Sequence, residues 1–210
     1  MKTRTKALGL VMAAVLLVTA TIFGTMAYLT STDEVVNTFT VGSVAITLDE
    51  APVGTDGKAI AGDRVKANSY KLMPGHEYDK DPTVHFQPDS EASWLFVEIK
   101  NDISAIESTE ATYKNIATQI TENGWTALDG VTGVYYKSVD ANTGATAIDY
   151  PVFQGFTISG SVDGDSLDDY VTTYDANNKP ITNFINITAY AVQADGFDTA
   201  SDAWTTGLGK

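Results

Sequence analysis

The sequence contains no cysteine in its 210 residues. Disulfide bonds are therefore excluded, and so is a thiol redox function. Small extracellular domains often need disulfides because they bury too little apolar surface, but a domain of this length buries about 70% of the surface of its unfolded chain. The lack of cysteine is thus compatible with an exported protein that is stabilised by its core.

Basic side chains are also scarce, with 13 lysine and arginine residues against 27 aspartate and glutamate residues. Three of the basic residues, Lys2, Arg4 and Lys6, precede residue 28, so ten remain against 27 acidic residues, a formal charge of −17. Nucleic acid is therefore not expected as a partner, because its binding depends on basic groups that neutralise phosphates. The charge repels like subunits at low salt, and salt or low pH relaxes that repulsion.

The first 27 residues have the order of a secretory signal peptide. Basic residues precede an apolar run from Ala7 to Ala20, and small side chains follow at Thr25 and Ala27. We predict cleavage between Ala27 and Tyr28, and export to the extracellular matrix or the cell surface. The alternative is a retained membrane anchor, since the run from Ala7 to Leu29 is about long enough to span a bilayer.

Alternation of apolar and polar residues predicts about eight to ten β-strands between residues 42 and 210. The segment Trp94–Lys100 is apolar on both faces, which is typical of a strand in the middle of a sheet. Further strands are expected over about Val65–Leu72 and Ile181–Gln193, and Asp129-Gly130 predicts a hairpin. The expected fold class is all-β, a jelly-roll-like antiparallel β-sandwich.

From Ser104 to Gly124 the pattern changes to that of an amphipathic helix. Ser104 and Glu107 have the spacing of a capping box, and apolar residues then recur at helical intervals as far as Ile120. Asn123 and Gly124 are residue types that end helices. We therefore predict one helix, which covers an end of the sheet.

The chain has two histidines, His76 and His85, which are candidate zinc ligands. The H-E-x-x-H motif of zinc proteases would need a histidine where Lys80 stands. A zinc site that joins both histidines with a carboxylate requires the turn and the strand to fold back together. The alternative is that both histidines are ordinary side chains of a loop and a strand.

An acidic loop that contains Asp163 and Asp165 begins like a calcium-binding loop. It departs from the EF-hand pattern, because Leu167, Asp168 and Tyr174 occupy positions of a ligand, the glycine and the bidentate glutamate. Weak calcium binding and a merely solvated loop both remain open. The sequence shows no nucleophile elbow or phosphate-binding glycine loop, so nothing in it requires an enzyme.

Several segments taken together resemble the TasA/camelysin family. They are Gly24-Thr25-Met26-Ala27-Tyr28-Leu29-Thr30, Asn37-Thr38-Phe39-Thr40-Val41-Gly42-Ser43-Val44, Leu72-Met73-Pro74-Gly75 with Lys80-Asp81-Pro82-Thr83-Val84, Trp94-Leu95-Phe96-Val97-Glu98-Ile99-Lys100, and residues 187–197 with Ala203-Trp204. The resemblance implies a secreted jelly-roll subunit of biofilm-matrix fibres that is processed by a dedicated signal peptidase and accompanied by accessory matrix proteins. It also implies, as an alternative, a camelysin-like cell-surface metalloendopeptidase, although the sequence has no recognisable zinc motif.

Cleavage at Ala27 would make residues 28–41 a free N-terminal arm. Its odd positions place Leu29, Val35, Phe39 and Val41 on one side. An exposed apolar strand tends to add to a sheet edge, and the resemblance implies homopolymers in which this donor strand completes a neighbour's sheet. The alternatives are an arm that pairs within its own subunit, and a monomeric extracellular ligand-binding sandwich.

Overall fold

The computed structural model describes residues 42–109, 112–163 and 185–210. Beyond these ranges it describes residues 12, 167, 173–174 and 180–181. One compact unit extends from Gly42 to Lys210.

The described residues contain eleven β-strands, two short α-helices and one π-helical segment. The strands are β1 (Ile46–Asp49), β2 (Glu77–Asp79), β3 (Thr83–Phe86), β4 (Ser93–Asn101), β5 (Thr126–Ala127), β6 (Val134–Val139), β7 (Ile148–Pro151), β8 (Gly155–Thr157), β9 (Thr173–Tyr174), β10 (Pro180–Ile181) and β11 (Ile185–Gln193). The helices are α1 (Ile116–Glu122) and α2 (Ala200–Asp202), and the π-helical segment is Ala203–Gly207.

All strand pairs of the described residues are antiparallel. One sheet has the order β11-β4-β6-β5 and a second has the order β1-β3-β7, while β2 pairs with β8 and β9 pairs with β10. The predicted all-β, antiparallel class is therefore confirmed. The finer prediction of a jelly-roll-like sandwich stays a prediction.

Strand β4 lies between β11 and β6 and is apolar on both faces, as the sequence predicts. Leu95 and Val97 point into the larger core, and Phe96 points into a second core on the other face. All three side chains are fully buried. Burial of each such side chain stabilises the fold by roughly 1.5–3 kcal/mol.

Helix α2 and the π-helical segment cover the second core, and neither was predicted from the sequence. Ala203 and Trp204 are buried there, and the Trp204 ring lies 5.2 Å from the ring of Phe96. The Thr199 side chain accepts a hydrogen bond from the Asp202 N–H at 3.1 Å, which caps α2.

The predicted helix begins much later than expected, at Ile116 instead of Ser104. Asn115 caps it, because its Oδ1 accepts a hydrogen bond from the Thr118 N–H at 2.8 Å. Glu107 does serve this helix, since its carboxylate accepts a hydrogen bond from the Ile116 N–H at 2.7 Å. Of the pair that suggested a capping box, Ser104 thus lies in a preceding turn and Glu107 forms a β-bridge with Ile158. The end at Asn123-Gly124 is confirmed, with Gly124 at a φ of 78°.

The predicted strand Val65–Leu72 is wrong. Only Val65 makes a β-bridge, to Glu50, and the residues after it have no ladder partner among the described strands. The physical reason lies in Asn68, whose side chain bonds the neighbouring backbone. Its Oδ1 accepts from the Val53 N–H at 3.0 Å, and its Nδ2 donates to the Ala51 carbonyl at 2.8 Å. The predicted hairpin is confirmed as β5–β6.

Two glycines with the same backbone conformation allow a test of the larger core. Gly57 and Gly130 have φ values of 73° and 74°. A Cβ at Gly57 would lie 2.3 Å from Cδ1 of buried Tyr78, whereas nothing lies within 4 Å of one at Gly130. We expect Gly130→Ala to cost about 1–2 kcal/mol and Gly57→Ala roughly 1–3 kcal/mol more, measured by urea unfolding. Equal losses would contradict the packing of Tyr78 against Gly57.

Candidate functional site

A cleft of about 760 Å³ opens between the end of β1 and the start of β11. Leu48 lines one side, Ile185 and Ile187 line the other, and Tyr70 and Leu72 of the loop 66–72 also face it. All five are partly exposed members of the larger core. The core is therefore incompletely covered at this place.

Both strands that border the cleft are sheet edges. Within the described part of the chain, β1 is paired only with β3 and β11 only with β4. The Ala194 N–H donates to the Ala92 carbonyl at 2.7 Å, so the alternation of an antiparallel ladder directs the backbone groups of Ile185 and Ile187 away from β4. These are the residues whose side chains line the cleft.

The edge of β1 has the same alternation. Glu50 exchanges hydrogen bonds of 2.9 and 2.8 Å with Val65 on the side away from β3, so Leu48 also directs its backbone groups to that side. The Lys66 ammonium donates to the Leu48 carbonyl at 2.6 Å. A side chain thus occupies one acceptor that a further strand would use.

The cleft also contains a buried ion pair. Lys80 Nζ contacts Glu50 Oε2, and the two residues are only 9% and 4% exposed. Removal of two charges from water is costly, and further hydrogen bonds are needed to offset it. Asn68 supplies one, because its Nδ2 donates to Glu50 Oε1 at 2.9 Å.

A second charged cluster surrounds His85 on β3. The His85 ring has Asp149 Oδ1 at 2.6 Å from Nδ1 and Asp49 Oδ1 at 2.8 Å from Nε2. Burial alone would lower the pKa of His85, but hydrogen bonds and charge interactions with the two aspartates outweigh burial and raise it. Since both nitrogens face carboxylates, the arrangement is that of a protonated imidazolium that links β1 to β7.

Arg64 extends this cluster. Its guanidinium contacts Asp49, and its Nη1 lies 2.8 Å from Asp81 Oδ2. Burial would raise the pKa of Asp49, but the hydrogen bonds from Arg64 and His85 outweigh it and lower the pKa. The carboxylate of Asp49 is thus held in its charged form by two cations.

The structure does not group the predicted zinc ligands into a metal site. His76 is exposed, and its Nδ1 lies 3.2 Å from the Pro74 carbonyl, whereas His85 is engaged by two aspartates. No cluster of three or more side chains that could hold a metal ion occurs among the described residues. For calcium, Asp163 is exposed and Asp165 lies outside the described residues, so that hypothesis stays a prediction.

The predicted cleavage site and the apolar face of the arm also lie outside the described residues. These positions are Thr25, Ala27, Tyr28, Leu29, Val35, Phe39 and Val41. In the part of the chain that the structure describes, no helix has the length and hydropathy needed to cross a bilayer.

Comparison with known proteins adds no relative. The chain matches no family model, and searches of curated proteins and of solved structures find no match. The resemblance to the TasA/camelysin family therefore depends on the sequence segments alone.

The cleft and both charged groups were not predicted from the sequence. They combine segments that are far apart in the chain, and no spacing within one segment indicates them. One signal was present for His85, because it stands between Val84 and Phe86, whose side chains face the core. Alternation places His85 on the outer face, and Asp49 follows Leu48 in the same way.

The charged cluster around His85 predicts a pH-dependent stability. Because the pKa of His85 is raised in the folded state, the contribution of its protonated ring to the free energy of unfolding is complete below the ordinary pKa of about 6.5. This contribution is lost as the pH rises through the folded-state pKa. His85→Gln should remove this loss, which we expect to be about 1 kcal/mol or less because Asp149 is 63% exposed.

The measurement is urea unfolding of the wild type and the variant across neutral pH. His76→Gln is the matched control, because His76 is exposed and should leave the pH dependence unchanged. Two results would contradict a stabilising role of the charged cluster around His85. One is a wild type whose stability rises over this pH range, and the other is a His85→Gln variant whose stability depends on pH as the wild type's does.

Proposed function

We propose that the chain is a secreted structural subunit of extracellular fibres, in a biofilm matrix or at the cell surface. Each subunit inserts its N-terminal arm, residues 28–41, as a donor strand into the cleft of the next. The observation that supports this proposal is the cleft itself, where two sheet edges and a partly exposed core lie side by side.

An inserted strand supplies hydrogen-bond partners for both sheet edges and cover for the core between them. Its backbone can bond Leu48 on one side and Ile187 on the other, and its alternate side chains can cover the core between them. Phe39 and Val41 would each contribute roughly 1.5–3 kcal/mol by burial. The arm is long enough, because its 14 residues extend to roughly 45 Å.

The spacing of the two strands determines how the arm enters. Two strands with a third between them lie about 9.6 Å apart, which is twice the usual strand spacing. Cα atoms of β1 and β11 approach within 8 Å in places, so an arm cannot lie along the whole of both strands as they stand. Entry begins at the open end, beside Leu48 and Ile185, and the strands separate as the arm advances.

Charge also favours this occupant. The arm carries Asp33 and Glu34, and exposed Lys66 stands at the cleft. When a strand arrives, Lys66 can release the Leu48 carbonyl to a backbone N–H and pair with an acidic side chain of the arm. Salt and low pH should promote assembly, because they reduce the repulsion between acidic subunits.

A second candidate is a monomeric ligand-binding domain. The cleft volume of about 760 Å³ lies within the range of small-molecule sites. This function predicts a protein that stays monomeric with its arm intact, so the assembly state of the intact protein separates the two functions.

The mature protein, which begins at Tyr28, should form filaments at raised salt. A variant that begins at Gly42 and the variant Phe39→Asp should both stay monomeric while the domain remains folded, because they lack the donor face. Sedimentation and electron microscopy measure assembly, and circular dichroism measures folding. Filaments of the truncated form, or a monomeric intact form, would reject strand donation.

The cleft has its own variant and control. Ile187→Lys places a charge at the acceptor site and should prevent filaments, whereas Ile148→Lys, on the edge strand β7, should not. Ile187→Lys keeps its arm and Phe39→Asp keeps its cleft, so an equimolar mixture should give heterodimers and nothing longer. Filament growth by Ile187→Lys alone would place the acceptor elsewhere.

Export should remove the first 27 residues. We expect the intact mass of the secreted protein to correspond to residues 28–210, because Thr25 and Ala27 are the small residues that signal peptidases recognise. A product in the membrane fraction that still carries Met1 would instead support the anchor alternative.

A further inference from the structure

One carboxylate joins a lysine and an asparagine beside the cleft. Lys80 Nζ contacts Glu50 Oε2, while Asn68 Nδ2 donates to the other oxygen, Oε1, at 2.9 Å. The Lys80 and Glu50 side chains are 10% and 5% exposed. Glu50 therefore holds an amine on one carboxylate oxygen and a carboxamide on the other.

The three residues are held by different parts of the fold. Glu50 follows β1, Lys80 follows β2, and Asn68 lies in the loop 66–72. The amide of Asn68 is fixed at both ends, since Oδ1 accepts from the Val53 N–H and Nδ2 also donates to the Ala51 carbonyl. The hydrogen bond from Val53 distinguishes the oxygen from the nitrogen of this amide.

Aromatic rings limit the access of water to the lysine. The Tyr70 ring centre lies 5.9 Å from Lys80 Nζ, and Phe156 packs edge-on against Tyr70 at 5.5 Å. In such surroundings a charged pair loses hydration, and hydrogen bonds from neighbouring groups have to offset that loss. A neutral lysine amine is a nucleophile.

We propose that Lys80 and Asn68 become joined by an intramolecular isopeptide bond, with Glu50 as the proton-transfer group. Glu50 accepts a proton from the Lys80 ammonium, and the amine attacks Cγ of Asn68 to form the Nζ–Cγ bond. The bond from Cγ to Nδ2 breaks, and ammonia leaves with a further hydrogen from Nζ. The products are a secondary amide, ammonia and a neutral Glu50 carboxyl, so atoms and charge balance without another reactant.

This bond would attach the loop 66–72 to the end of β2. Hydrogen bonds from the Asn68 side chain hold this loop in place of a strand ladder. The chain has no cysteine, so a disulfide bond cannot attach the loop covalently. Bond formation also converts a buried ion pair into neutral groups. The inference does not depend on fibre assembly, because all three residues belong to one subunit.

The test is the intact mass of the purified full-length or exported protein under denaturing conditions. We expect the mass to be lower than that of the sequence by one ammonia. Trypsin should yield residues 67–71 linked to residues 72–100, because a modified Lys80 is no longer cleaved. Lys80→Arg, Glu50→Gln and Asn68→Ala should each have the unmodified mass, while Lys66→Arg, a second lysine at the cleft, should retain the loss.

The wild-type measurement decides the question even where a variant fails to fold. A folded wild type of unmodified mass would overturn the proposal. Loss of ammonia without the linked peptide would also overturn it, because cyclisation of Asn68 to a succinimide gives the same mass without involving Lys80. Either failure would leave the fibre proposal untouched, since that proposal is tested by sedimentation.

Discussion

The fold depends on β4, a strand that is hydrogen-bonded on both sides and apolar on both faces. Leu95 and Val97 anchor the larger core, and Phe96 anchors the second core with Trp204. A strand of this kind needs cover on two sides. The C-terminal helices provide it on one face, and on the other face β1, the β2–β8 pair and α1 contribute residues to the larger core.

Among the described residues, the cover on the larger core is incomplete at the cleft, whose borders are set by strand pairing. β11 pairs with β4 and β1 pairs with β3, but no ladder joins β1 to β11 in the described part of the chain. Leu48 and Ile187 are therefore core residues that remain partly exposed. The cleft thus lies where two sheets each end in an open edge, and the loop 66–72 completes its lining.

Periodicity predicted the elements whose structure depends on burial. The two-faced pattern of β4 and the alternation of β11 both follow from which side chains meet the core. The predicted strand Val65–Leu72 was wrong because the Asn68 side chain takes the place of ladder hydrogen bonds. The predicted helix start was wrong because Glu107 bonds the first turn of a helix that begins nine residues further on. The cleft could not be predicted, because it depends on which distant strands remain unpaired.

An incompletely covered core lowers the stability of a monomer. The monomer stays folded only if this loss is small compared with a free energy of unfolding of about 5–15 kcal/mol. In the proposed assembly, the apolar surface near Leu48 and Ile187 is left available to a neighbour's arm. The loop 66–72 then has to stay in place while an arm enters beside it. A covalent bond at Asn68 would hold the loop without any ladder hydrogen bonds. The proposed isopeptide bond would thus keep the loop in place, while the unpaired edges stay available to a neighbour's arm.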